Sequence, residues 1–386
     1  MKYDRAFFDR GLERRNTGCE KWDADFLNED TLPLWVADMD FACAEGIQRA
    51  MLERAQHPCY GYNTDEKAYS DAFIGYMERH HRLKIREEEM LRLPCVVTGL
   101  KTCVQAFSEK GDQVAIFTPC YGPFAMSVNC NERELVSVPL IEREDGGYDM
   151  NLAGMEKALQ DGAKLVLLCN PHNPASRCWK EEEIAALAAL CEKYSVVLVS
   201  DEIHADFVYQ PDAFTSILHV KEKNVVALFA ASKTFNVAGL QQAELVCKDE
   251  TLRKKAENVL NRNGVTSGNT MALAATMAAY NEGDEWLQGL MAYLDENRKL
   301  LDKWVKEYLP KARLAPISAT YLGWIDLRAY GKNCDELAEM FKKQGVALTG
   351  GTFFGTEGEG FMRINFGCPS AWVLEGIKRM AKALEE

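Results

Sequence analysis

Lys233 stands where an apolar run ends abruptly, in Val225–Leu240 (VVALFAASKTFNVAGL), and is followed by Thr234, Phe235, Asn236 and a stretch rich in glycine and alanine. A lysine delivered by a strand into an apolar cleft is partly desolvated, so its pKa falls and its amine becomes free to condense with a carbonyl. A strand that merely reaches water would end the same way, so the lysine needs company. Two further runs supply it. Lys164–Cys169 (KLVLLC) leads through Asn170, Pro171 and His172 to Asn173, and Ser195–Ser200 (SVVLVS) leads straight into Asp201, Glu202, Ile203 and His204. Asn173, Asp201 and Lys233 are 28 and then 32 residues apart, about the length of one βαβ unit. That spacing puts all three just past the C-terminal ends of successive strands of an open α/β sheet, where ligands bind.

Amine, carboxylate and amide on one sheet edge suit one cofactor, pyridoxal phosphate. A carboxylate such as Asp201 facing a pyridine nitrogen keeps it protonated and electron-withdrawing, which stabilises a carbanion at a substrate Cα. Asn173 can donate to the ring's phenolic oxygen. His204 could reach the same oxygen, help hold the aspartate, or be a satisfied structural histidine. Asp201 and Glu202 could equally be a solvated acidic pair, and Asn173 a turn residue before proline. The conjunction with Lys233 at unit spacing favours the joint reading.

The elements between these residues fit an α/β chain. After Asn173, the segment from Glu181 (EEEIAALAALCEKY) places Ile184, Leu187, Ala188 and Cys191 on one helical face, with acidic residues in the first turn where the helix dipole favours them. The chain of 386 residues is 47% hydrophobic, enough for one large core and a smaller one. Its net charge of −13 carries no compensating basic block, which argues against nucleic acid or an anionic membrane as partner. No apolar run reaches the roughly 18 residues of a transmembrane helix, and the start MKYDRAFFDRGLERR is too charged for a signal peptide, so a cytoplasmic location is expected. Thirteen cysteines, scattered and never spaced as C-x-x-C, read as reduced thiols, and six histidines offer no ligand spacing, so no metal is expected.

Along nearly its whole length the sequence resembles the fold-type-I pyridoxal phosphate enzymes. Phe117–Phe124 (FTPCYGPF) is similar to that family's TPxYxxF segment, which implies that Tyr121 stacks on the cofactor ring and takes part in catalysis. Val97–Thr102 (VTGLKT) resembles the turn whose backbone N–H groups at a helix N-terminus cradle the phosphate. Gly99, Leu100 and Lys101 are then the cradle, with Ser232 adding a hydroxyl. Within the superfamily, Trp35–Phe41 (WVADMDF), Tyr60-Gly61-Tyr62, Asp201–His204 (DEIH), Ser232–Gly239 (SKTFNVAG), Thr320–Asp326 (TYLGWID) and Gly360–Pro369 (GFMRINFGCP) resemble the cystathionine β-lyase-like C–S lyases of the MalY/PatB type. Many aminotransferases of the superfamily carry a phosphate-binding arginine eight residues after the lysine; here Gln241 occupies that place, as in the lyase-like subgroup.

The resemblance also implies a substrate site. Arg363, flanked by Phe361, Met362, Ile364 and Phe366, becomes the clamp for an α-carboxylate, helped by the backbone near Ala37, whereas spacing alone would read it as an exposed strand arginine. Tyr321 is either near the substrate or simply packed. Tyr62 resembles a tyrosine that reaches the neighbouring subunit's phosphate, implying a homodimer with composite active sites. Departures occur as well: Asn170–Trp179 reads NPHNPASRCW where the family has NPHNPTGRVW, so Ala175 and Ser176 replace threonine and glycine, and the latter costs something if the turn needs positive φ. Ala231 stands where proline is frequent, and Gln242, Ala243 and Glu244 where small polar residues are usual, which leaves substrate preference open.

The expected architecture is a fold-type-I PLP transferase of the α/β class. An N-terminal arm and crossing segment over 1–44 would pack with the small domain. A large domain over 45–281 would carry a mixed seven-stranded sheet sandwiched by helices, and a smaller α/β C-terminal domain would span 282–386. The small domain would be entered through a helix presenting Trp286, Leu290, Tyr293, Leu294, Leu301, Trp304, Val305 and Tyr308. The expected activity is α,β-elimination on cystathionine or a related cysteine S-conjugate. An amino-acid aminotransferase, or a cofactor-containing regulatory protein acting by protein contacts, are the alternatives.

Overall fold

Two of the apolar runs, Leu165–Cys169 and Val225–Phe229, are buried at every position, which requires cover on both faces of the sheet that holds them. The computed structural model describes residues 2–12, 14–63, 66–210, 213–265 and 268–385. Its large sheet has seven strands: β1 (Met90–Leu93), β2 (Gln113–Thr118), β3 (Glu134–Pro139), β4 (Leu165–Cys169), β5 (Val197–Asp201), β6 (Val225–Phe229) and β7 (Ala243–Val246). They lie in the order β1-β7-β6-β5-β4-β2-β3, and only β7 runs antiparallel to its neighbours. The mixed seven-stranded sheet expected from the sequence is thus present.

Alternation along each strand divides the interior in two. Ala115, Phe117, Val166, Leu168, Ala227 and Phe229 enter one core, while Val114, Ile116, Leu165, Leu167, Val226 and Leu228 enter the other. Helix α1 (Val96–Phe107) lies over the second core, and α2 (Glu181–Lys193) buries Ile184, Leu187, Ala188 and Cys191, the face its periodicity predicts. Strand β5 begins two residues later than the apolar run suggests, because Ser195 turns left-handed (φ +56°) to close α2. Glu244 within β7 is also structural: hydroxyls of Tyr69 and Tyr280 donate to its two oxygens, and burial pushes its pKa well above the carboxylate range.

A 25-residue helix, α3 (Asp284–Tyr308), buries the predicted aromatic and aliphatic stripe except for half-buried Tyr308 and leads to a second sheet. That sheet consists of β8 (Arg313–Leu314), β9 (Leu322–Asp326), β10 (Thr349–Gly350) and β11 (Phe361–Asn365), antiparallel in the order β8-β9-β11-β10. The N-terminal segment lies beside it: Leu32–Pro33 pairs with Val346–Ala347 as a separate two-stranded sheet, and the Asn365 backbone N–H donates to the Leu34 carbonyl at 2.9 Å. The chain then crosses between the two sheets at Trp35–Phe41. All thirteen cysteines are unpaired, eight of them buried. No helix among the described residues is long and apolar enough to cross a membrane.

Candidate active site

The C-terminal ends of β2, β4, β5 and β6 open on a cavity of about 160 Å³. Tyr121 follows β2, Asn173 follows β4, Asp201 is the last residue of β5, and Lys233 lies in the one-turn helix Ala231–Thr234 after β6. All four line the cavity, together with Ala37, His204 and Ser232. Neighbouring parallel strands explain the convergence, because residues one βαβ unit apart share a sheet edge.

The Lys233 amine donates to the Ala37 carbonyl at 2.5 Å. Burial lowers its pKa to about 8, with Asp38 pulling upward and Arg363 downward. Asp201 behaves oppositely: burial raises its carboxyl to about 7, against a 3.1 Å bond from the Ile203 amide and the charge of Lys233. Among the described residues no salt bridge holds it, so a cationic partner on the cavity side would recover much of that desolvation. His204, buried and made unfavourable for a second positive charge by Lys233 and Arg363, is lowered to about 3 and stays neutral, with its Nδ1 unpartnered among the described residues.

Arg363 comes from β11 and is 3% exposed. It donates to Asn173 Oδ1 at 3.3 Å, to the Trp35 carbonyl at 2.5 Å and to Thr349 Oγ1 at 3.2 Å, while its Nε has no partner among the described residues. A buried guanidinium with neutral acceptors alone is held at a desolvation cost, seen in a pKa lowered to about 10. An incoming carboxylate would meet that need. Trp35 and Thr349 are contacts that sequence patterning missed, the first because it acts through a backbone carbonyl.

Two expectations shift. The helix begins at Val96, so Gly99 already donates to the Cys95 carbonyl at 3.2 Å, and neither Gly99, Leu100 nor Lys101 lines the cavity. A Cβ at Gly99 would press on Leu93 and Leu228 at 2.8 and 2.9 Å, so glycine there lets the helix lie close on the sheet. The amides left without intrahelical acceptors are those of Val96, Val97 and Thr98, and Cys95 provides no side-chain cap. Cys95, Val96 and Val97, at the start of the helix, line the cavity instead; Pro94, a strand-ending proline ahead of a helical pattern, was the available signal. Tyr321 is fully buried and spends its hydroxyl on the Ala37 carbonyl at 2.9 Å, so it acts through Ala37 and does not reach the cavity. Tyr62 is fully exposed, away from this cavity, beside an open groove formed with Asn63 and Gly268–Met271.

Charged residues missed in the sequence hold the crossing segment. Arg14 bridges Asp38 and Asp40 at 2.8 and 2.9 Å, and Lys21 reaches Asp40 at 2.7 Å. Burial would raise the Asp38 carboxyl, but Arg14 and Lys21 keep it below the usual range. A wider groove of about 740 Å³ lies behind Asp206, where His80 pairs with Asp284 and His81 with Asp206.

The sequence pattern of the family described as aminotransferase class I and II matches residues 30–380. The chain is 40% identical to cystathionine β-lyase PatB of Bacillus subtilis, covering 98% of this chain and 99% of that protein. A pyridoxal-phosphate-bound C–S lyase from Staphylococcus hominis superposes with a TM-score of 0.91 at 31% identity, over 98% of this chain and 99% of that one. A pyridoxal-phosphate-bound putative aminotransferase from Clostridium difficile superposes with a TM-score of 0.95 at 34% identity, over 98% and 99%.

Proposed function

Because the chain belongs to the class I and II aminotransferase family, with C–S lyases among its full-length relatives, we propose that it is a pyridoxal phosphate-dependent β-lyase. It cleaves the carbon–sulfur bond of cystathionine or a related cysteine S-conjugate, releasing thiol, pyruvate and ammonia. The observation that carries this reading is the pairing of a desolvated amine, Lys233, with an uncompensated buried carboxylate, Asp201, across one small cavity. The residues present fit the cofactor: the uncapped N-terminus of α1 and the Ser232 hydroxyl suit its phosphate, Tyr121 its ring face, Asp201 its ring nitrogen, Asn173 and His204 its ring oxygen.

When bound, pyridoxal phosphate supplies an aldehyde for the substrate's amine and a ring that accepts the electron pair left at Cα. Arg363 holds the substrate's carboxylate, with Asn173 and the Trp35 carbonyl fixing the guanidinium plane. Lys233, whose amine is neutral in about half of the molecules at pH 8, takes the Cα proton, and the Ala37 carbonyl positions its Nζ. Asp201 holds a proton at the ring nitrogen. Val96, Val97 and Ile203 line the site with apolar side chains. With a thiolate on Cβ as leaving group, loss of the Cα proton ends in elimination. The test is purified protein mixed with cystathionine and no added keto acid: pyruvate and thiol in equal amounts support the reading, and turnover only when a keto acid is supplied would replace it with transamination.

The active unit is a homodimer in which Tyr62 of each protomer completes the other's phosphate site. The support is its full exposure beside the groove at Gly268–Met271, with Tyr60 also exposed. Sedimentation of the purified protein checks it; a monomer of full activity would overturn it. The chain divides functionally as 1–44, 45–281 and 282–386, the first crossing between the sheets that the other two carry. Thirteen unpaired thiols suit a reducing compartment, the cytoplasm.

A further inference from the structure

Gln242 is 3% exposed, and among the described residues neither its Oε1 nor its Nε2 has a hydrogen-bond partner. A buried amide left unpaired at both ends is destabilising, so an absent partner is the economical explanation. The side chain borders the cavity that also takes in Pro94–Val97 and Ser232. Strand register explains the meeting: Ala243 opens β7 opposite Leu93, the last residue of β1, so Gln242 lies across from the segment that enters α1. Gln241, held left-handed at φ +58°, makes the turn that brings Gln242 there. Gly268 completes the seat, because a Cβ at that position would overlap the Gln242 amide.

Resting on the cofactor reading above, we propose that Gln242 is a ligand of the cofactor's phosphate, donating from its amide beside the open N–H groups of Val96, Val97 and Thr98. The charge inventory supports a neutral donor there. Among the described residues lining the cavity, Lys233 is the single cationic side chain, and its amine is needed at the aldehyde. Within one protomer a phosphate in this site is therefore held by helix N–H groups, a hydroxyl and an amide, with Gln242 supplying the side-chain donor that the exposed Gln241 at the rim does not bury.

The experiment separates phosphate recognition from ring recognition. Cofactor-stripped protein is titrated with pyridoxal phosphate and with pyridoxal, which lacks the phosphate, and the bound fraction is read from visible absorbance. Gln242→Met keeps the volume and loses the donor; Gln242→Glu places a negative charge against the phosphate. The expected result is about tenfold weaker pyridoxal phosphate binding for Gln242→Met, a larger loss for Gln242→Glu, and unchanged pyridoxal binding in both. Unchanged pyridoxal phosphate affinity, or equal losses for the two compounds, overturns the proposal. Wild-type protein that binds pyridoxal phosphate while the variants lose nothing condemns this assignment alone; wild-type protein that binds neither compound condemns the cofactor reading with it.

Discussion

Arg363, on a strand of the small sheet, donates a hydrogen bond to Asn173, at a strand end of the large sheet, across 3.3 Å. The grip on the substrate's carboxylate and the contact to the cofactor ring are therefore one mechanical unit that spans both sheets. Neither residue can move without disturbing the other's geometry. The crossing segment seals the joint, because Trp35 accepts from the same guanidinium and Ala37 from Lys233.

Arg363→Lys removes the planar fork but keeps the charge. It should lower kcat/KM for cystathionine by about 10- to 100-fold, mostly through KM, and leave pyridoxal phosphate uptake unchanged. Steady-state pyruvate release alongside cofactor titration checks both halves.

Lys233→Ala should reduce pyruvate release by at least about 10²- to 10⁴-fold, the range expected for a missing general base. Borohydride treatment of the holoenzyme, followed by mass spectrometry, should mark Lys233 in the wild type and no residue in the variant. A marked lysine elsewhere would displace it from the site.

Capture of an aldehyde needs the neutral amine, and burial lowers Lys233 to about 8. The rate at which stripped protein takes up pyridoxal phosphate should rise with pH through about 8 and then level off. A rise that continues towards the ordinary lysine value would show that the cleft does not desolvate the amine.

Asp201 binds a proton more tightly folded than unfolded, since burial raises it from 3.8 to about 7. Its contribution to the stability of cofactor-free protein therefore declines as pH rises from about 4 to 7 and stays unfavourable above. Asp201→Asn should stabilise the stripped protein at pH 8 by about 1 to 4 kcal/mol, with little gain at pH 4, while it impairs the holoenzyme. Urea denaturation at both pH values reads the difference.

Ser176 occupies the turn where the family has glycine, and its φ is +54°. Its buried hydroxyl donates to the carbonyls of Pro174, at 3.1 Å, and Leu322, which offsets the strain of a left-handed side chain. Ser176→Gly exchanges one for the other and should change stability by less than about 1 kcal/mol, whereas Ser176→Ala keeps the strain, loses the bonds and should cost about 2 kcal/mol. Equal effects in urea melts would show that the hydroxyl compensates nothing.

Much of this arrangement was legible in the chain. Lys233, Asp201 and Asn173 follow apolar runs one βαβ unit apart, and both the runs and the spacing are local properties that survive without knowledge of the fold. The stripe on α3 was legible for the same reason. The start of α1 was less legible, because a helix start depends on where the preceding strand stops, and β1 stops at Leu93, short of the glycine that drew attention. Gln242 looked like an unexplained departure, since an unpartnered amide is visible only after every neighbour is in place.

The sequence by itself determined which strands would be buried and that an amine, a carboxylate and an amide would share one sheet edge, because period and spacing are set by residues close along the chain. Tertiary structure decided what closes that edge. Arg363 meets Asn173 across 190 residues and the Trp35 carbonyl across 328, and Lys233 meets Ala37 across 196. Such contacts arise only when two sheets pack around a crossing segment, and it is that packing, by removing water, which shifts Lys233 and Asp201 toward each other in proton affinity.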